Sequence, residues 1–407
     1  MATTATAKKS EVTGVQSHYL RQFAILWTVG MLVYMGMGLT SPQYSIRIIE
    51  QGISLRDFGI IQGLATLFSI STQVYIGKLS DRLGKRKPMF VGAILIMIPI
   101  ALLFPHARSG WMFFVLLAIN QMVAGLFNAI SANWVTRFGI PGQLGRLHGF
   151  FRISFSVGWI IATMFMGFIL DSLGFVRLFY VASTFFIAAL TLAIIGTTEK
   201  GQLMHPDRPT ENHTQDVIQK PFQWSMELKL LLLALGVFTL AQTMGMNFNY
   251  IFLKEEMVVT NRQFGLLTSI QSWPEIPLML LLGIMTDKIP SAILLVLGMG
   301  LSSLRWLFMS IVQSTSHLYF IQPLHAIGMT VTEVVVVAVI AKITPPEHLG
   351  TVMGWQVTVV NFARFLAPLL AGLIASLMGL RMTFLVSFMI ALLGALLVLW
   401  TSKTKRC

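Results

Sequence analysis

The chain has 407 residues, of which 55% are hydrophobic and only 11% charged, with a mean hydropathy of +0.74. Soluble domains carry roughly 25% charged residues, so a soluble globular protein is excluded. The formal net charge of +13 would suit a nucleic-acid binder, but the charges sit in loops between apolar runs, and no nucleic-acid partner is expected. The single cysteine, Cys407, is the last residue, which excludes a disulfide framework and a cysteine metal cluster.

Residues 1–20 are polar and the first apolar run is too long for a cleavable leader. From there, apolar runs of ~20 residues recur, each long enough to cross roughly 30 Å of hydrocarbon. Backbone groups in lipid must be satisfied within their own segment, so the expectation is an all-α membrane protein. Twelve transmembrane helices are drawn at 22–46, 57–78, 88–105, 111–136, 145–171, 175–196, 228–253, 263–286, 291–312, 317–341, 349–376 and 381–401. Between the second and third lies a short basic loop, 77–88, which carries Lys78, Arg82, Lys85, Arg86 and Lys87. The stretch 198–226 is polar, holds Pro206, Pro209 and Pro221, and has no apolar periodicity; it reads as a linker. It divides the chain into an N-terminal half, 1–197, and a C-terminal half, 227–407. Setting both termini and this linker on the cytoplasmic side leaves only Arg47, Arg56, Arg108, Arg177, Lys254, Arg262 and Arg381 in the opposite loops, as the excess of basic residues in cytoplasmic loops requires.

The halves share a register. Gly77, Asp81 and Arg82 recur as Gly283, Asp287 and Lys288 at an offset of 206 positions, and Asp57-Phe58-Gly59 matches Gln263-Phe264-Gly265 at the same offset. Leu144-Gly145, Gly149, Gly167 and Gly174 match Leu349-Gly350, Gly354, Gly372 and Gly379 at 205. One register shared by so many glycines predicts two parallel six-helix repeats about an axis along the membrane normal.

Six ionisable groups fall at membrane depth: Arg152 in helix 5, Glu275 in helix 8, Arg305 in helix 9, His325 and Glu333 in helix 10, and Arg364 in helix 11. An ion there costs at least ~2.5 kcal/mol, so each is a candidate for function, against the plainer alternative of structural ion pairs. Asn120, Gln121, Asn128 and Asn133 run down helix 4, and Gln242, Asn247 and Asn249 down helix 7. These amides suit a polar ligand, and interhelical hydrogen bonds account for them equally well. Trp27, Tyr34 and Tyr44 in helix 1 could stack on a ring or anchor the helix at the interface. Pro274 and Pro277 flank Glu275 and free backbone carbonyls beside it. There is no nucleophile–base constellation, phosphate-binding loop or nucleotide motif, so neither an enzyme nor a cofactor or metal is expected.

Gly77, Asp81-Arg82, Gly84 and Lys85-Arg86 together resemble the signature loop of the major facilitator superfamily of transporters. Arg152-Ile-Ser-Phe-Ser-Val-Gly-Trp159 resembles the helix-5 stretch of its lactose permease branch. Trp273-Pro-Glu275, Leu304-Arg305-Trp306 and Gln322-Pro-Leu-His325 resemble helix-8, helix-9 and helix-10 motifs of the oligosaccharide, nucleoside and phenylpropionate proton symporters. The resemblance implies the major facilitator fold, with helices 1, 4, 7 and 10 lining the cavity. It implies a proton-coupled symporter, functional as a monomer in a bacterial plasma membrane, for a small polar solute such as a sugar, nucleoside or aromatic acid. It assigns Arg152 and Glu275 to the solute, with Trp159, Asn120 and Asn247 beside them. Arg305 and His325, with Glu275 and Glu333, fall to proton coupling. Gly77, Asp81, Arg82, Gly84, Arg86 and Asp287 fall to contacts between helix ends that favour one access state.

Three departures stand out. The acid that lactose permease carries three residues after its helix-10 histidine is here Gly328, and the nearest acid, Glu333, comes eight residues after His325. On an ideal helix that is ~80° round and ~12 Å along. Phe155 stands where a glycine is common in that branch. The loop at 77–88 is fuller than many symporters carry, and with 24 methionines able to adapt to varied ligands it keeps proton-driven efflux of drugs or sugars as the alternative. Efflux should show an acid in the N-terminal half cavity, and helices 1, 2, 4 and 5 hold none away from their ends. A non-transporting receptor or scaffold is disfavoured by the embedded charges.

Overall fold

The computed structural model describes the backbone at residues 2–83, 86–136, 144–198 and 224–403, and side chains at 20–72, 86–136, 147–198 and 224–400 apart from positions 283, 287 and 346. In chain order the helices are α1 (Ala2–Glu50), α2 (Leu55–Leu83), α3 (Lys87–Leu103), α4 (Gly110–Val135), α5 (Leu144–Leu173), α6 (Phe175–Gly196), α7 (Met226–Glu255), α8 (Asn261–Ile270), α9 (Glu275–Lys288), α10 (Ser291–Ile311), α11 (Thr315–Ile321), α12 (His325–Thr330), α13 (Val336–Ile343), α14 (Leu349–Met378) and α15 (Leu380–Lys403). Among the described residues, ten helical spans are long and apolar enough to cross a membrane, the run Thr315–Ile343 counting as one. The helix α2 and the α8–α9 pair fall outside those ten.

Local chemistry explains where helices start and break. Ser109 and Ser225 cap α4 and α7 by accepting from the amides of Met112 and Leu228, and Thr260 with Gln263 forms a reciprocal capping box on α8. Such caps satisfy donors that a helix start leaves orphaned. The eighth span, expected as one helix over 263–286, is interrupted between Ile270 and Glu275. Pro274 and Pro277 lack the amide protons that continuous helix needs there. The tenth span is irregular too, with a 3₁₀ turn at Gln322–Leu324 and a π-helical turn at Val331–Val335.

α1 packs on α5 and α6, α3 on α4 and α6, and α2 on α4. Later in the chain α7 packs on α14 and α15, and α10 on α15. Rows of large apolar side chains, Phe320 (81% exposed) and Leu377 among them, stand on the outside, which suits lipid and not water. The two sets of helices join mainly along α2 against α14 and α5 against α8, with a lesser contact of α1 on α7. Each of the two main seams is closed by glycine. A Cβ on Gly59 would collide with the carbonyl of Pro368 and lie 2.9 Å from the Cα of Gly372. A Cβ on Gly265 would lie 2.7 Å from the carbonyl of Thr163 and 2.9 Å from the amide of Gly167. In the register read from the sequence, Gly59 corresponds to Gly265 and Gly167 to Gly372, so the two contacts are reciprocal.

The helix ends gather on two faces. One, the linker face, brings Lys87 to the carbonyls of Ile194 and Thr197, and Gln22 to that of Gly196. The far face holds Asp171, which accepts from Asn261 and Arg262 across the α5–α8 seam, and Arg381 with Glu256. Both glycine contacts lie toward the far face.

Candidate functional site

Two cavities lie on the axis between the sets of helices. The smaller, about 230 Å³, is nearer the far face and is lined by Tyr34, Trp159, Tyr250, Gln271 and Glu275 among others. The larger, about 480 Å³, extends toward the linker face past Thr239, Gln242, Thr332, Glu333, Gln356 and Arg364. Arg152, Met246, His325 and Met329 line both.

Arg152 projects from α5 and meets Glu333, with Nη2 2.6 Å from Oε2 and 2.7 Å from Oε1. This ion pair joins residues 181 positions apart and spans the two sets of helices. Glu333 sits within the π-helical turn, a distortion that concentrates at functional sites. The wider turn rotates the chain less per residue than α-helix does, which brings Glu333 back toward the face of His325, and both side chains line the larger cavity.

Glu275, 7% exposed, is the first residue of α9, where the helix N-terminus favours a carboxylate. Its Oε2 accepts from Ser156, one turn beyond Arg152 on α5, at 3.1 Å. Glu275 therefore shares the smaller cavity with Arg152, while the ion pair of Arg152 goes to Glu333.

Arg305 is wholly buried. Its Nη1 donates to His325 Nδ1 at 3.0 Å and to Met246 Sδ at 3.2 Å; its Nη2 donates to the side-chain carbonyls of Gln322 at 2.6 Å and Gln271 at 3.3 Å. Its guanidinium lies 4.5 Å from the Trp306 ring centre. Gln322 in turn donates to Asn249, and Gln271 to Tyr250. No carboxylate lies within ion-pair distance of Arg305 among the described residues, and its Nε is without a partner there. A guanidinium only donates, so His325 must present Nδ1 as an acceptor, and a neutral imidazole then carries its proton on Nε2. This cluster ties α7, α8, α10 and α12 into one polar unit behind the cavity wall.

The remaining candidates divide. Trp159 lines the smaller cavity. Asn120 accepts from the Tyr44 hydroxyl at 3.4 Å, an α1–α4 bond, and neither Asn120 nor Asn247 is among the residues lining the two cavities. Arg86 donates to the carbonyl of Asn133, joining the start of α3 to the end of α4. Gly84, the surroundings of Gly77 and the side chains of Asp81, Arg82 and Asp287 lie outside the described residues, as does most of the linker 198–226. The chief addition is Arg364, a membrane-depth charge that sequence reasoning left without a role. Tyr250 and Gln271 are uncharged, and nothing in the sequence singles them out as cavity residues.

The model of the MFS_1 like family matches residues 24–386. An uncharacterised MFS-type transporter of Methanocaldococcus jannaschii is 18% identical over 356 residues, covering 84% of this chain and 88% of that protein. Sugar efflux transporter A of Escherichia coli is 25% identical over 169 residues, 41% of each. Among solved structures, that of the nucleoside transporter NupG superposes with a TM-score of 0.76 at 11% identity, covering 93% of this chain and 99% of NupG.

Proposed function

The chain belongs to the MFS_1 like family of secondary transporters, and from that premise we propose that it is a proton-coupled symporter of a small polar solute. Its fold, a multi-pass helical membrane protein, is the frame for this reading. Counting α2 and the broken α8–α9 pair with the ten long apolar spans makes twelve. The reciprocal glycine contacts support two six-helix repeats, 1–197 and 227–407, joined by a cytoplasmic linker at 198–226. The linker face is then cytoplasmic, and the closed far-face seams correspond to an inward-facing state.

The observation that carries the reading is the Arg152–Glu333 pair. It joins the halves at the point where the two cavities meet. Protonation of Glu333 removes the charge that holds Arg152, and a solute reaching Arg152 weakens its hold on Glu333. Each event favours the other, the reciprocal coupling that symport requires. Glu275 with Ser156 supplies acceptor and hydroxyl groups for the solute in the smaller cavity, beside Tyr34 and Trp159. Arg305 holds His325 in one tautomer and so steadies the segment from His325 to the π-helical turn that carries Glu333. The energy comes from the proton gradient, and the halves rock about the site.

Purified protein in proteoliposomes, tested against sugars, nucleosides and aromatic acids, should take up protons when its solute is added. Solute flux that never moves protons would overturn the coupling. Proton release on solute uptake would favour the rival reading, proton-driven efflux, which the partial similarity to a sugar efflux transporter supports.

A further inference from the structure

The larger cavity holds more arginine than carboxylate. Arg152 and Arg364 enter it from α5 and α14, one from each half, and Glu333 is the one carboxylate on its wall among the described residues. Glu333 is committed to Arg152 at 2.6 Å. Arg364 has no hydrogen-bond or ion-pair partner among the described residues, although it stands exposed in the cavity wall. The charges that act on it are Glu333 and Arg152. Glu333 thus serves two guanidinium groups, and one of them is left open at membrane depth, where a lone cation is costly. Guanidinium presents a planar fork of donors that matches a carboxylate or phosphate. The volume, about 480 Å³, lies in the range of pockets for small organic ligands.

Resting on the symporter reading above, we propose that the solute carries an anionic group, carboxylate or phosphate, which binds between Arg152 and Arg364 and replaces Glu333 on Arg152. Glu333 is the resident stand-in for that group. When the solute arrives, the Arg152–Glu333 pair breaks and an Arg152–solute pair forms. The released Glu333 carboxylate takes one proton from the acidic side from which the solute is loaded, and Arg152 and Arg364 stay charged throughout. The groups that face Glu333 are Arg152 on α5, Arg364 on α14, Glu275 on α9 and Tyr34 on α1, and His325, which is held by Arg305, lines the same cavity. A monoanion and one proton then cross together with no net charge moved. Thr239 and Gln356 line the same cavity and can bond the neutral remainder of the solute, whereas Gln242 is held by Ser302 and Trp306.

The test uses the full-length protein in proteoliposomes with three matched pairs: 3-phenylpropionate and 3-phenylpropanol, glucuronate and glucose, uridine 5′-monophosphate and uridine. The anion of at least one pair should bind ten times or more tighter than its neutral partner, about one charge-assisted contact. Uptake of a carboxylate should follow an inward pH gradient and stay unchanged when potassium and valinomycin impose a membrane potential. Arg364→Gln should weaken anion binding about tenfold, and Arg364→Lys should recover part of it. Glu333→Gln should tighten anion binding several-fold, because it removes the internal competitor; a structural or directly ligating Glu333 would give the reverse. Equal handling of a neutral member, weaker anion binding by Glu333→Gln, or no anion binding in any pair would each overturn the proposal. Proton-driven uptake of a neutral member would do so while leaving the symporter reading intact. Anion binding without any proton movement would instead sink the symporter reading and keep the site.

Discussion

The two sets of helices meet in two ways, and the contrast between them separates what closes the protein from what informs it. Toward the far face, Gly59 lies against Gly372 and Gly265 against Gly167, backbone on backbone. That contact carries no charge, answers to no proton, and is lost once a side chain or a few tenths of an ångström intervene. At the centre, Arg152 and Glu333 meet through long, part-exposed side chains. This second contact acts over distance and can be undone by a proton or by a rival anion. The glycine seams are suited to holding a state, and the ion pair to sensing when to leave it.

The largest effect should come from jamming the seams. With Cys407→Ser as background, Gly59→Trp combined with Gly265→Trp leaves no room for either backbone approach, and uptake should fall to background. A cysteine at Ser272 should become reactive to a membrane-impermeant maleimide from the far side. Normal uptake by the double variant would show that the glycine seams do not need to close.

Breaking the central contact should be nearly as severe for accumulation but not for exchange. Glu333→Gln should lower pH-driven accumulation by at least about tenfold and leave solute counterflow largely intact, since exchange needs no net proton movement. If His325→Ala loses accumulation while Glu333→Gln keeps it, the proton is carried by His325 and the central pair is only a latch.

The polar unit behind the cavity wall gives a third, intermediate effect. Arg305→Ser strands the carbonyls of Gln271 and Gln322 and opens space beside Trp306, which should cost about 2–4 kcal/mol. Thermal unfolding in detergent should show a larger loss for Arg305→Ser than for His325→Ala, whose imidazole joins the cluster through its bond to Arg305. Equal losses would mean that the amides repack without the guanidinium.

The smallest effect belongs to the charged rim of the far-face seam. Asp171→Asn removes the ion pair with Arg262, whose side chains are 38% and 64% exposed, and exposed pairs contribute about 0–1 kcal/mol. Uptake should change less than about threefold. A loss matching that of the tryptophan variants would place closure in this ion pair and not in the glycines.

Membrane helices and the glycine register were legible in the amino-acid sequence, for physical reasons that are local. Hydrocarbon demands about twenty apolar residues wherever the chain crosses it, and a backbone approach admits only glycine, so Gly59, Gly167, Gly265 and Gly372 mark themselves by repeating at offsets of 206 and 205. The membrane-depth charges were equally visible, because each is conspicuous among apolar neighbours. Which charge meets which was decided by the tertiary structure. The pairing of Arg152 with Glu333, and of Glu275 with Ser156, depends on how two bundles dock and on two departures from ideal helix: the break before Glu275 and the π turn around Glu333. Ideal-helix arithmetic cannot anticipate either. The tertiary structure likewise turns Asn120 to Tyr44 and brings Arg364 on α14 beside Arg152 on α5, in a cavity with a single carboxylate among the described residues.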